Sequence, residues 1–536
     1  MIPGWRSSIF HLSRDREWLK RAALIIVAGG FALALVILGV TPARHDAETP
    51  DPLEQALRAE WQELRRAPEP RPRALAGWLR RVTGQMRHLS EVLETAPATW
   101  ESYQKKGWLL DYDTRPLLEK HTPEPGQRRL LEDFLSARLA SDDSGRATAG
   151  ARLAEAAELG QPLAGELHAA LLMRDQDEAG AMRALMREGR LFADAFEARE
   201  DALRLALRLK DADALRAMKA VPDWLETSPP ALQHQAGTLL RDPWLQWRGL
   251  LLHRLEHVPY GALGMAFFAC LIWYAVFVLH GGSGSRRWLW PVPPVVAGVL
   301  SVWPVLTVAS WQETANGMSA DAPFPHDLWY YVAGVGLREE LAKLAAAALF
   351  MPWLLWSRVP GRALLTGAFA GLGFALDENI NYYTEFGGGV ALVRLLTANF
   401  LHAALTGILT HALYTALRSR FTRVDGFLAA LPAVVAVHGL YDYTASSSIG
   451  GMDFAAMVIL AFVAWHFLDV MEQEAAPARR WVSPGSVVVI GAALLIAIIF
   501  ISTALENTGR AGLAAAAIEC VAVLPLMFIY WRRLGG

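Results

Sequence analysis

Four short stretches between residues 338 and 442 hold ionisable side chains whose types and spacing suit hydrolytic chemistry. They are Arg338-Glu339-Glu340-Leu341-Ala342-Lys343, Phe374-Ala375-Leu376-Asp377-Glu378-Asn379, His402 with His411, and His438-Gly439-Leu440-Tyr441-Asp442. Two histidines and two or three carboxylates are donor types that suit a divalent metal, zinc above all, with a further glutamate to activate water. Glutamate, aspartate and histidine also build proton or ion relays in transporters. Residue types alone therefore leave metal-assisted hydrolysis and ion-coupled transport both open. Within each stretch the intervals are helical. Glu339 and Lys343, Phe374 and Glu378, and His438 and Asp442 are each four apart, so each pair shares a helix face. Lys343 is then placed to compensate one of the two adjacent glutamates. Asp442 can orient His438 through its far ring nitrogen or act as a ligand itself.

The elements that must position these residues are apolar. The chain has 536 residues, 53% hydrophobic and 19% charged, with a formal net charge of −2. These averages hide a partition, because well over half of the charged side chains lie between residues 41 and 258. The rest reads as uncharged apolar runs of about 18 to 25 residues, the length an α-helix needs to cross a hydrocarbon core. Ten such runs are visible, Ala22 to Val40 and then about 260–280, 288–310, 328–356, 363–385, 390–416, 426–446, 454–471, 485–503 and 511–531. The expected fold class is all-α, a polytopic membrane helical bundle of about ten spans with one large helical extracytoplasmic domain. The near-neutral charge balance gives no support to a nucleic-acid partner. Cys270 and Cys520 lie inside apolar runs, which excludes a disulfide framework and a cysteine-rich zinc site.

Charge asymmetry sets the expected orientation. Arg6, Arg14, Arg16, Lys20 and Arg21 precede the first run, and no small-residue cleavage motif follows it, so residues 1–21 read as cytosolic and 22–40 as an uncleaved signal anchor. Alternating sides then puts Arg286/Arg287, Arg358/Arg362, Arg418/Arg420/Arg423, Arg479/Arg480 and Arg532/Arg533 all in the cytosol, as the positive-inside rule asks. Arg394 is the exception, a few residues into the sixth run, where it must snorkel or face protein. Residues 41–258 fall outside the cytosol. They begin with a proline-rich linker (Pro50, Pro52, Pro68, Pro70, Pro72) and continue as helices of 10 to 15 residues. Met173-Arg174-Asp175 with Asp177, Met182 and Ala184 recurs at an offset of 36 as Leu209-Lys210-Asp211 with Asp213, Met218 and Ala220. That period suggests a short α-solenoid, with an alanine-rich bundle as the plainer reading. The remaining expected parts are two spans over 259–310, a four-helix core over 328–446 and three spans over 454–536.

Depth tests whether the ionisable groups can meet. At 1.5 Å per residue from the outer helix ends, Glu339 lies roughly 16 Å down, Glu378 about 12 Å, His402 about 18 Å and His438 about 13 Å. These four can share a plane in the outer half of the membrane. His411 is deeper and faces the other way, so it is left out of the site.

These residues resemble the PrsW family of intramembrane proteases, related to the CAAX-protease and bacteriocin-processing superfamily. Its motifs E-E-x-x-K, F-x-x-x-E-N, a histidine-bearing span and H-x-x-x-D occur here in order. They are Glu339-Glu340-x-x-Lys343, Phe374-x-x-x-Glu378-Asn379, His402 followed by Thr406 and Gly407, and His438-x-x-x-Asp442, together covering about residues 328–446. The CAAX-protease pattern fits less well, because Leu344 and Glu378 stand where its arginine and histidine would be. No H-E-x-x-H helix is present, the G-x-G-D partner that an aspartyl intramembrane protease would need beside Tyr441-Asp442 is missing, and Ser446 to Ser448 lack the G-x-S-G context of a rhomboid nucleophile.

The resemblance implies an intramembrane peptidase acting on a membrane-anchored protein such as an anti-sigma factor, in a bacterial cytoplasmic membrane with both termini cytosolic. The expected site is a cavity in which Glu378, His402 and His438 hold Zn2+ and Glu339 is general base. Glu340 supports the metal or protonates the leaving amine, and Lys343 balances charge. Asn379 donates to the oxyanion or substrate backbone, and Asp442 orients His438 or supplies a fourth ligand. A transporter built on the same Glu/His cluster and a non-catalytic scaffold built on the external domain are the competing readings.

Overall fold

The computed structural model describes residues 3–40, 51–96, 99–256, 258–281, 287–447, 451–474, 482–506 and 509–534. Pro50, Arg286, Arg479 and Arg480, which figured in the linker and topology expectations, lie outside the described residues. Among the described residues the fold is all-α apart from one two-stranded antiparallel hairpin, Trp108–Leu109 against Tyr112–Asp113. The chain divides into two compact units, Met1–Ala43 with Val258–Gly536, and Arg44–His257.

The Arg44–His257 unit is a succession of short helices around two apolar clusters, one centred on Trp78 and Phe134 and the other on Trp224 and Leu203. Caps explain where many of these helices start. Asp142, Asp177 and Asp211 each accept a backbone N–H of the first helical turn, which satisfies an otherwise orphaned donor. The repeated stretches at offset 36 occupy equivalent places. One ends helix Ala164–Arg174 and starts Glu178–Leu191, and the other follows Phe196–Arg208 and starts Ala212–Lys219. A buried ionic network crosses the unit. Arg73 reaches Glu166 at 2.7 Å and Glu188 at 2.8 Å, and Glu188 also accepts the backbone N–H groups of Leu163 and Gly165. Both carboxylates are buried yet fully partnered, the condition under which such charges are tolerated.

The other unit holds the apolar helices. Among the described residues seven are long and apolar enough to cross a membrane, and eight if the bent pair Gly509–Ala522 and Leu524–Leu534 is one span. The count of ten expected from the sequence is thus lowered, and the two runs that drop out are the ones carrying the acidic motifs. Residues 328–356 are helical in pieces, including a π-helical segment, Tyr330–Gly336, and helix Leu337–Ala348. Helix Pro360–Phe386 is 27 residues long, but its glycines and its Asp377-Glu378-Asn379 turn hold its hydropathy down. Its residues Ala363 to Ala375 are all buried by other helices, so the surroundings to which its composition answers are protein.

Small residues let this helix be surrounded so closely. A Cβ on Gly367 would lie 2.4 Å from Thr406 O, one on Gly371 2.2 Å from His402 O, and one on Gly373 2.0 Å from Val295 O. Only glycine permits the backbones of Pro360–Phe386, Ala398–Arg418 and Val292–Leu300 to touch in this way. A second device handles the break at Thr397, between helices Ala391–Leu396 and Ala398–Arg418. A break leaves carbonyls without helical partners. Trp273 Nε1 donates to Leu395 O at 2.6 Å, and the Tyr530 hydroxyl to Leu396 O at 3.0 Å. The Arg16–Val40 helix packs on Pro484–Leu505 with Gly30 against Ala497.

Candidate active site

Four helices converge on one buried polar cluster. The glutamate pair opens helix Leu337–Ala348, directly after the π-helical segment. Gly336 and Gly439 bring this segment against helix Val424–Ser446. A Cβ on Gly336 would lie 2.6 Å from Val435 O, and one on Gly439 2.4 Å from Val332 Cα. His438, the residue before Gly439, is thereby set against the glutamates. Its Nδ1 is 2.7 Å from Glu340 Oε1, and its Nε2 is 3.6 Å from Glu339 Oε2 and 3.2 Å from Asp442 Oδ2.

The glycine-mediated contact between Pro360–Phe386 and Ala398–Arg418 does the same for the second imidazole. His402 Nε2 lies 2.8 Å from Glu378 Oε2, and its Nδ1 2.8 Å from Lys343 Nζ. Lys343 also donates to Glu340 Oε1 at 2.8 Å and lies 3.3 Å from Glu339 Oε2 and 4.3 Å from the Phe374 ring centroid. Thr406 donates to Glu340 Oε2 at 3.5 Å. The two imidazole rings meet edge to face, 5.2 Å between centroids. Glu340 and Lys343 are fully buried, whereas the Glu378 and Asp442 side chains are 24% and 28% exposed. The cluster is therefore sealed on the Glu340 side and open at Glu378 and Asp442.

Glu339, His402 and His438 each offer one ligand atom, and the three atoms lie within 4.8 Å of one another. This set fits a divalent cation. Glu339 Oε2 is buried without a hydrogen-bond partner among the described residues, which a cation would relieve. One carboxylate and two imidazoles are suitable donors, and the far nitrogen of His438 is held by a carboxylate, the usual way a ligating imidazole is oriented. His402 differs, since an ammonium faces its Nδ1. Ligation through Nε2 needs Nδ1 to carry the proton, so Lys343 must then rely on Glu340 and Glu339, both already beside it.

All eight residues singled out from the sequence fall in one contact network, with differences of detail. The three-atom cluster contains Glu339 where the sequence reading put Glu378. Asp442 faces Nε2 of His438, the nitrogen turned to the cluster, and Glu340 takes the far one. Both polar atoms of the Asn379 side chain are engaged: Arg394 Nε donates to Oδ1, and Nδ2 donates to Asn399 Oδ1 at 2.5 Å. His411 stands apart, 3.7 Å from Glu474. Arg394 faces protein, with Glu378 Oε2 2.7 Å from its Nη2 and the Tyr382 ring centroid 3.6 Å from its Cζ. Arg394 and Asn399 are the site residues the sequence reading did not assign. An unexplained arginine at the depth of a glutamate was the available signal for the first. Asn399 sits three before His402 on one helix face.

The helices and this cluster define a multi-pass α-helical membrane protein with a buried carboxylate and bis-imidazole centre. Residues 286–468 match the PrsW family intramembrane metalloproteases. That stretch is a PrsW family domain, somewhat longer than the motif region, and the protein is a peptidase whose substrate is a protein. No curated protein and no solved structure matches the chain.

Proposed function

We propose that the protein hydrolyses a peptide bond of a membrane-anchored protein, such as an anti-sigma factor, in the outer half of a bacterial cytoplasmic membrane. Glu339, His402 and His438 would hold a zinc ion, and the observation that carries this reading is the buried Glu339 Oε2, without a hydrogen bond among the described residues and grouped with two imidazoles. The ion supplies Lewis acidity toward the scissile carbonyl and lowers the pKa of water toward neutrality.

The chain's own residues divide the remaining work by exposure. Glu378 borders His402 and is open on one side, so it takes the water's proton as general base. Asp442, also open and one turn from His438, relays a proton from solvent to the departing amine nitrogen, while Glu378 returns the water's proton to solvent, so both carboxylates end the cycle as they began. Glu340 is sealed and orients His438, and Lys343 neutralises the glutamate pair. This exchanges the roles of Glu339 and Glu378 relative to the sequence reading, on the strength of the three-atom cluster.

The arginine joints support a cytosolic N-terminus and place residues 41–258 on the far side of the membrane, where successive helical hairpins offer a face to a substrate ectodomain. Deleting residues 60–245 is expected to abolish cleavage of the native substrate while the membrane unit remains folded. Unchanged cleavage would reduce that region to a spacer.

Glu378→Gln keeps the shape and the Arg394 contact but cannot accept a proton. Purified after crosslinking in membranes, this variant should retain a single-span membrane protein that wild type releases in two pieces. Mass spectrometry that finds no protein enriched over wild type sinks the protease assignment of the site.

A further inference from the structure

Asn379 is the obvious candidate donor to a substrate carbonyl, being in the cluster and next to Glu378, yet its oxygen is held by Arg394 and its nitrogen is already turned to Asn399 Oδ1. The geometry points to Asn399 instead, as the residue whose side-chain N–H donates to the scissile peptide carbonyl, with Arg394 and Asn379 as the positioning residues that aim it. This inference rests on the protease reading given above.

The argument begins at Arg394, because a guanidinium can only donate. Its Nε contacts Asn379 Oδ1, so that atom is the amide oxygen and the Asn379 nitrogen must point the other way, toward Asn399. Asn379 Nδ2 is a donor, so the Asn399 atom it meets at 2.5 Å is the oxygen. Two amide orientations that are often ambiguous are thus fixed in sequence by one cation. The outcome is that Asn399 Nδ2 carries two N–H groups with no partner among the described residues, in a side chain with no exposed surface. Buried amide donors are nearly always paired, and an unpaired one at a functional site marks a place for a ligand.

Place and chemistry agree. Asn399 and His402 are three apart on one helix, so the amide lies one turn from the imidazole that contacts Glu378. A preorganised neutral donor aimed at developing carbonyl charge is what acyl-transfer sites use, and it gains strength where water is excluded. Arg394 is itself anchored twice more, on Glu378 Oε2 and on the Tyr382 ring, so the chain from cation to donor is rigid. The same arginine therefore sets both Glu378 and the donor.

The test uses full-length protein and, as substrate, the membrane protein captured by Glu378→Gln. Asn399→Leu keeps the branched outline of the side chain and removes the unpaired donor together with the acceptor of Asn379 Nδ2, so its melting temperature is read beside its activity to show that it folds. Its kcat should fall 10²- to 10³-fold with KM within about threefold. Asn379→Ala should lower kcat about tenfold, and Arg394→Lys should lower kcat in the same direction. Should Asn399→Leu fail to fold, Asn399→Ala gives the same readout. A kcat within threefold of wild type in a folded Asn399 variant overturns the inference while leaving the protease reading intact, provided Glu378→Gln is inactive. Wild-type turnover by Glu378→Gln removes both.

Discussion

Purified wild-type protein should contain about one zinc per chain, and Glu339→Ala, His402→Ala and His438→Ala should each lose it, whereas Glu378→Gln should keep it and still be inactive. Three ligands are the number expected of a catalytic zinc site, and loss of one of three leaves too few donors to retain the ion through purification. Glu378 lies beside His402 but outside the three-atom cluster, so an isosteric amide there removes a base and leaves the ligands. Elemental analysis of the four variants separates the two assignments of the glutamates. Zinc lost from Glu378→Gln and kept in Glu339→Ala would restore the roles read from sequence. Zinc absent from wild type reconstituted under metal-replete conditions would end the metal-assisted mechanism. Activity should fall about 10²- to 10⁴-fold in Glu378→Gln, as loss of a general base does, and at least as far in the three ligand variants.

The second large effect concerns stability. Lys343 and Glu340 are both fully buried, 2.8 Å apart, and Glu340 is also held by His438. Removing one partner of such a pair leaves an uncompensated charge and costs about 3–5 kcal/mol. Lys343→Met should therefore lower the melting temperature severely or prevent accumulation of folded protein. Glu340→Gln alone should cost less, since an amide can still bond both neighbours. The double variant Lys343→Met/Glu340→Gln should be more stable than Lys343→Met. That ordering, read from thermal melts in detergent, would place the contribution of Lys343 in charge compensation. Additive losses would mean that the ammonium's contact with the Phe374 ring matters more than its pairing with Glu340.

These two expectations draw unequally on what the sequence makes legible. Intervals of four within each helix place Glu339 with Lys343 and His438 with Asp442, because the period of an α-helix is known beforehand. Equal depth brings Glu339, Glu378, His402 and His438 to one level for the same reason. What spacing does not give is the rotation and approach of one helix against another. That depends on Gly371 against the His402 carbonyl and on Gly439 against Val332, contacts that exist only once helices pack. Hence the Glu340 bond to His438 Nδ1, the Arg394 bond to Glu378 and the line from Asn379 to Asn399 were not legible, although every one of these residues except Asn399 was in view. Counting spans failed in a related way. Hydropathy measures fitness for lipid, and the helix carrying Glu378 is enclosed by other helices.

The π-helical segment Tyr330–Gly336 has a consequence beyond the site it introduces. Each residue of an α-helix advances about 100° around the axis, so adding or removing one residue turns everything downstream by that amount. The wide turns before Leu337 therefore act as a phase adjuster, setting the compass bearing of Glu339 and Glu340 independently of where the helix begins. Turned one step either way, the neighbours Arg338, now bonded to Gln312, and Leu341, now 43% exposed, would swing toward the bundle instead. An identical glutamate pair at identical depth on an unbroken α-helix would thus be a different, chemically mute surface.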